Sequence, residues 1–279
     1  MKIGVAIHAT DKSISPVDLA REAEARGFYS LYIPEHTHIP TSRRTPAPTG
    51  EDELGEEYAR SPDPYISLAA AASVTDTIRL GTGISLPAQH DPITLAKVIA
   101  TLDLVSNGRL VFGIGFGWNR EEMEHHGVVY ATRRAQVREH MLAMQQLWAN
   151  EVAEYHGEFV NFAASWQWPK PVQKPRPRIL IGGGAGPKLF DHIAEYADGW
   201  LPIGGAGLRE SLPRLRAAFE ARDRDPSSLH IVPFGVQPDT AKLDYYAELG
   251  VTEAVLRLPS APRDAVLPVL DDFARYLSR

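Results

Sequence analysis

Two short stretches hold residues whose types and spacing could do chemistry. The first is Glu35-His36, at the end of an apolar strand pattern, Tyr29–Pro34. A carboxylate beside an imidazole reads as a proton-transfer or ring-orienting pair, and equally as a polar loop start; a strand-end position favours the functional reading. The second is IGGGAGP, Ile181–Pro187, where Gly182, Gly183, Gly184 and Gly186 run into a helix opening at Pro187. Converging backbone amides and a helix N-terminus make an anion cradle, although a tight strand–helix turn would also use glycine. Glycines recur at LGTGIS, Leu80–Ser85, and at GIGFGWNREE, Gly113–Glu122. Recurrence at three strand ends is read as close approach of something flat or phosphorylated to the backbone.

Metal chemistry finds little support. The chain has no cysteine, which excludes disulfides, thiolate zinc sites, iron–sulfur clusters and a cysteine nucleophile. His36-x-His38 has the form of a paired metal ligand, but that pair belongs on the first strand of a metal-dependent barrel, where this chain has only His8. Glu122 and His125 have helical ligand spacing but no second pair to complete a cage, so both are read as structural or solvent-facing. GIGFG is half of a dinucleotide fingerprint, with no ribose-binding acid at the usual distance.

The elements that must position these residues alternate from end to end. Strand patterns at Lys2–His8, Tyr29–Pro34, Ile78–Ser85, Arg109–Gly115, Arg178–Gly182, Gly199–Pro202, His230–Val236 and Val251–Leu258 are each followed by an amphipathic helix. Eight such pairs predict an α/β fold, a (β/α)8 TIM barrel, as a single domain over 1–279. Two stretches break the rhythm: Thr37–Asp63 after strand two, and Glu151–Pro177 before strand five, which holds a short hairpin. Both are expected near the top face, where the strands' carboxyl ends carry the active site. Trp166 and Trp168 are expected to pack the second insertion onto the barrel, and Met141 and Met144 to be core.

Composition narrows the partners. A net charge of −6, with no basic run longer than Arg43-Arg44, argues against nucleic acid or an anionic membrane. No apolar run could span a membrane, and the chain enters a strand without a signal-peptide core, so a cytoplasmic location is expected.

Five segments in register resemble the bacterial luciferase-like oxidoreductases, and within them the coenzyme F420-dependent branch. They are LYIPEH, IRLGTGISLPAQHDPITLAK, GRLVFGIGFGWNREEM, PKPVQKPRPRILIGGGAGP and YADGWLP. The resemblance covers essentially the full length. It implies a cofactor, coenzyme F420 with FMN as the alternative, and hydride transfer to or from a small organic substrate. It places a non-prolyl cis peptide at Gly83-Ile84, so that Gly83, Ile84 and Ser85 form a bulge backing the cofactor's ring. It places Glu35 and His36 near the ring's reactive edge, with Glu35 tuning His36 as proton donor or acceptor. Gly183, Gly184, Ala185 and Gly186 become the phosphate cradle, joined by backbone at Phe116 and Gly117. Trp118 stands where the family's sugar-phosphate dehydrogenases carry a catalytic carboxylate, which points to a flatter, more apolar substrate. Family members are often dimers, so a homodimer is expected.

Overall fold

The computed structural model describes residues 1–47 and 53–277. Residues 48–52 of the stretch after the second strand lie outside them. The strands are β1 (Lys2–Ala6), β2 (Ser30–Ile33), β3 (Arg79–Thr82), β4 (Leu110–Ile114), β5 (Val152–His156), β6 (Asn161–Trp166), β7 (Arg178–Gly182), β8 (Gly199–Leu201), β9 (His230–Ile231), β10 (Phe234–Val236) and β11 (Glu253–Arg257). The helices are α1 (Pro16–Ala25), α2 (Pro64–Ala72), α3 (Pro92–Val105), α4 (Arg120–His125), α5 (Arg133–Ala149), α6 (Pro187–Tyr196), α7 (Leu208–Glu220), α8 (Thr240–Glu248) and α9 (Arg263–Ala274).

Helix starts follow local chemistry. Ser15, Asp63 and Asp91 each accept a hydrogen bond from a first-turn amide, with proline at the opening of α1, α2 and α3. The Asp91-Pro92 pair therefore starts α3 as its residues predict.

Nine strands form one parallel sheet in the order β10-β11-β1-β2-β3-β4-β7-β8-β9. The edge strands β9 and β10 are successive parts of one stretch, so the sheet curls in a TIM-barrel-like manner until its margins fall in the same piece of chain. His230, Val232 and Phe234 donate their amides to carbonyls of Asp198, Trp200 and Pro202 on the β8 side. The carbonyls of Ile231 and Pro233 accept from Thr252 and Val255 on the β11 side. The His230–Val236 pattern reads as one strand; Pro233, which lacks an amide hydrogen, splits it in two.

Two apolar layers result. Ala6, Tyr32, Val111, Leu180, Leu201, Val232 and Val255 pack inside the curl, with Ile84 and Phe234 against them. The larger layer, including Leu31, Phe112, Ile181, Leu256, Met141 and Met144, lies between sheet and helices. Burial on both faces explains why the strands read as continuous apolar runs.

The hairpin expected before the fifth parallel strand is β5–β6, paired antiparallel. Trp166 and Trp168 do not pack it down: they are 76% and 57% exposed. The hairpin is anchored instead by polar contacts, the Glu139 carboxylate accepting from the amides of Glu158, Phe159 and Val160, and by Ala153 and Val160 in the core. No described helix is long and apolar enough to cross a membrane.

Candidate active site

The end of β3 is irregular. Gly83-Ile84 is a cis peptide, as the resemblance implies. Around it the chain is tied to both neighbours. The Gly83 amide donates to the Ile33 carbonyl at 2.8 Å, the Glu35 amide to the Ile84 carbonyl at 3.2 Å, and the Ser85 amide to the Gly113 carbonyl at 2.8 Å.

Glu35 clamps this bulge from beneath. Its buried carboxylate accepts from the Leu86 amide at 2.6 Å and sits 2.5 Å from His90 Nε2; Tyr65, 2.5 Å from the Ser85 hydroxyl, reaches it at 3.5 Å. Burial pushes the Glu35 carboxyl up, but His90 and these donors outweigh it and hold it below the usual range. Burial pushes His90 down, and Glu35 more than reverses that. Glu35 thus lies in the bulge's support, with its charge committed to His90.

His36 has another partner. Its Nδ1 is 2.8 Å from Glu122 Oε2, while Glu122 Oε1 accepts from the Thr37 amide at 3.0 Å. A carboxylate only accepts, so Nδ1 carries the proton and Nε2 is the ring's other working atom. Glu122 is fully buried. It sits in the first turn of α4, whose cap Asn119 accepts from the Glu122 amide at 3.4 Å. The structural or solvent-facing reading of Glu122 is therefore corrected: its carboxylate is turned inward onto His36. The Asn119-x-x-Glu122 spacing is that of a capping motif and marks the helix start, but not the inward turn. His125 keeps to the flank, 2.9 Å from His38. Among the described residues no three His, Asp or Glu side chains converge as metal ligands.

Rings close around His36. Trp118 meets it edge-on at 5.7 Å, Tyr58 lies at 5.4 Å, and His8 stacks parallel at 6.2 Å. Tyr58 arrives on the short 3-10 turn Glu56–Arg60, which Lys12–Glu56 and Arg60–Asp11 ion pairs fasten beside β1. The His8 Nε2 atom is 2.6 Å from the Ser61 hydroxyl. Burial, then the neighbouring His36 and Arg257, pull His8 down to about 3, so its ring is neutral at ordinary pH.

The glycine loop after β7 is open. A side chain added at Gly184 or Gly186 would meet nothing within 4 Å. Gly183 has a φ of 143°, and its carbonyl accepts from Trp200 Nε1 at 2.9 Å. Gly186 precedes α6 and offers its first-turn amides no side-chain cap. Phe116 packs at 5.1 Å from His192 of α6, bringing the end of β4 beside the same helix. Backbone with that much room, leading into a helix N-terminus, fits a phosphate.

Glycines of β3 and β4 have a different cause from the one their sequence suggests. A β-carbon at Gly81 would stand 2.3 Å from the Tyr32 ring, one at Gly83 2.5 Å from Phe234, and one at Gly115 2.0 Å from Ile84. These positions are emptied for interior side chains. Gly117 alone has a conformational reason as well, its φ of 75° being left-handed.

The chain belongs to the luciferase-like monooxygenase family, whose model matches residues 3–238. An uncharacterized protein of Mycobacterium tuberculosis is 45% identical over 282 residues, covering 100% of this chain and 97% of that one. An F420-dependent glucose-6-phosphate dehydrogenase of Kineococcus radiotolerans is 27% identical over 219 residues, 74% of this chain and 58% of its own length. Among solved structures, the monooxygenase RslO1 from Streptomyces bottropensis superposes with a TM-score of 0.79 at 22% identity, covering 100% of this chain and 99% of that one. Relatives of this chain include both F420-dependent and flavin-dependent oxidoreductases.

Proposed function

We propose that this chain, a single (β/α)8 barrel interrupted after β2 and before β7, is an oxidoreductase that moves a hydride between coenzyme F420 and a small organic molecule. The observation that carries the reading is the His36–Glu122 pair, set at the mouth of the curl between the Gly83-Ile84 bulge and a ring of aromatic side chains. The amides of Gly183, Gly184, Ala185 and Gly186, with backbone at Phe116 and Gly117, would hold the cofactor's phosphate, and Gly83, Ile84 and Ser85 its ring. When bound, the deazaflavin supplies the hydride acceptor or donor. The chain's own residues bind, orient and exclude water. His36 exchanges a proton through Nε2, and Glu122 fixes its tautomer and steadies the charge that proton brings. Trp118, Tyr58 and His8 wall the space where a flat substrate would lie. The same reading takes the protein as a cytoplasmic homodimer.

A monooxygenase using FMN is the second reading, favoured by the luciferase-like monooxygenase family model that matches residues 3–238. Titration of the purified protein with each cofactor separates the two. Coenzyme F420 should bind at micromolar concentration or tighter, and FMN more weakly; tighter FMN binding would reverse the assignment. Arg43 and Arg44, the basic pair after β2, would meet the anionic glutamate tail of F420, which FMN lacks. Arg43 donates to the Thr45 carbonyl and lies 5.9 Å over Trp118. Arg44 shares a hollow of about 340 Å³ with Glu121 and Glu124.

A further inference from the structure

One cation at the mouth has no part in the chemistry above. Arg257 ends β11, in register with Ala6 of β1. Along β11, Val255 packs inside the curl and Leu256 in the outer layer, so alternation brings Arg257 to the inner side at the rim. Two residues beyond Ala6, just past the end of β1, stands His8. The two are close enough for the guanidinium to help hold that ring neutral. Arg257 is exposed, and among the described residues its side chain has no hydrogen bond or ion pair. The carboxylates around the mouth are already engaged: Glu35 with Leu86 and His90, Glu122 with His36 and Thr37, Glu121 with Thr45 and the Arg44 amide. The glycine loop follows β7, three strands away round the sheet.

We propose that Arg257 is the anion-binding residue of the substrate pocket, and that the substrate class is a planar, conjugated carboxylate. A guanidinium fork matches a carboxylate with two parallel hydrogen bonds. The rings of His8, Tyr58 and Trp118 supply flat apolar walls beside it. The ligand's charged end would be fixed at β11 and its ring laid toward His36. A neutral His8 adds no competing cation and leaves the carboxylate to Arg257. This inference rests on reading the mouth as the active site and deepens it to a substrate class.

Benzoate and its neutral isostere benzamide are the probes, titrated calorimetrically into the protein with inorganic phosphate present to occupy the glycine loop. Benzoate should bind about tenfold more tightly than benzamide, as a charge-assisted hydrogen bond implies. Arg257→Gln should abolish the preference and leave benzamide unchanged, and Arg257→Lys should keep part of it. Equal binding of the two probes, or a preference that survives Arg257→Gln, overturns the proposal. So does Arg257→Gln weakening coenzyme F420 but not a deazaflavin lacking the phosphate and glutamate tail, since Arg257 would then serve the cofactor. A benzoate preference in a protein that fails to bind F420 sustains the carboxylate site while removing the cofactor assignment.

Discussion

Glycine is used in two opposite ways at the strand ends of this protein. At the ends of β3 and β4 it makes room for other side chains: Tyr32, Phe234 and Ile84 fill the volumes that β-carbons at Gly81, Gly83 and Gly115 would need. After β7 it leaves room empty, with open space over Gly184 and Gly186. The sequence shows the same letter in both places. Only what surrounds the missing β-carbon separates a packing requirement from a binding one.

The largest effect should come from Gly113 of β4, a packed glycine that faces backbone instead of a side chain. Gly113→Ala would set a methyl 2.1 Å from the Thr82 carbonyl oxygen, which is backbone and cannot move aside. Overpacking of that kind should lower the unfolding free energy by about 3 kcal/mol in urea titrations. A change below about 0.5 kcal/mol, the range of neutral surface substitutions, would break the contrast. In the second group, Gly184→Val should leave the stability of the cofactor-free protein within about 0.5 kcal/mol of wild type. It should weaken binding of a phosphate-bearing cofactor roughly ten- to hundredfold, the worth of one or two hydrogen bonds to a charged group. Equal loss of stability would return Gly184 to the plain-turn reading.

The smallest effect concerns the clamp under the β3 bulge, which belongs to the packed region although it borders the open one. His90 is raised by Glu35, so its contribution is full below the ordinary histidine value of 6.5 and is lost as pH rises through the higher folded value. Glu35 is lowered, so its contribution is present above 4.5 and is lost as pH falls through the lower folded value. The stability difference between wild type and His90→Gln should therefore be greatest between pH 4.5 and 6.5, at about 1.5 kcal/mol. It should shrink at higher pH. A difference that stays flat with pH would mean His90 acts by shape alone.

Much of this was legible beforehand because it is local. Alternating apolar strands and capped helices announce the parallel sheet, and Ile181–Pro187 announces the glycine loop that leads into α6. What stayed hidden depends on contacts distant in the chain. Glu122 is 86 residues from His36, and a helix too short to show periodicity turns it inward. Tyr58 comes from a single 3-10 turn inside a polar stretch. Adjacent letters misled in the same way: Glu35 and His36 are neighbours in sequence, yet they serve different partners on different sides of the strand end. Trp166 and Trp168 illustrate the reverse error, since large apolar side chains on a hairpin need not face the body they are attached to.

The proline that interrupts the seventh parallel strand has a further consequence. Pro233 stands where an amide hydrogen would otherwise point at β11, yet Thr252 and Val255 still donate to the carbonyls on either side of Val232. The same seven residues, His230 to Val236, thus answer to neighbours on both flanks. A sheet whose last strand is also its first offers no unclaimed row of backbone groups to a stray peptide. The large sheet is protected against templated aggregation by its own circular connectivity, at the cost of one missing hydrogen bond.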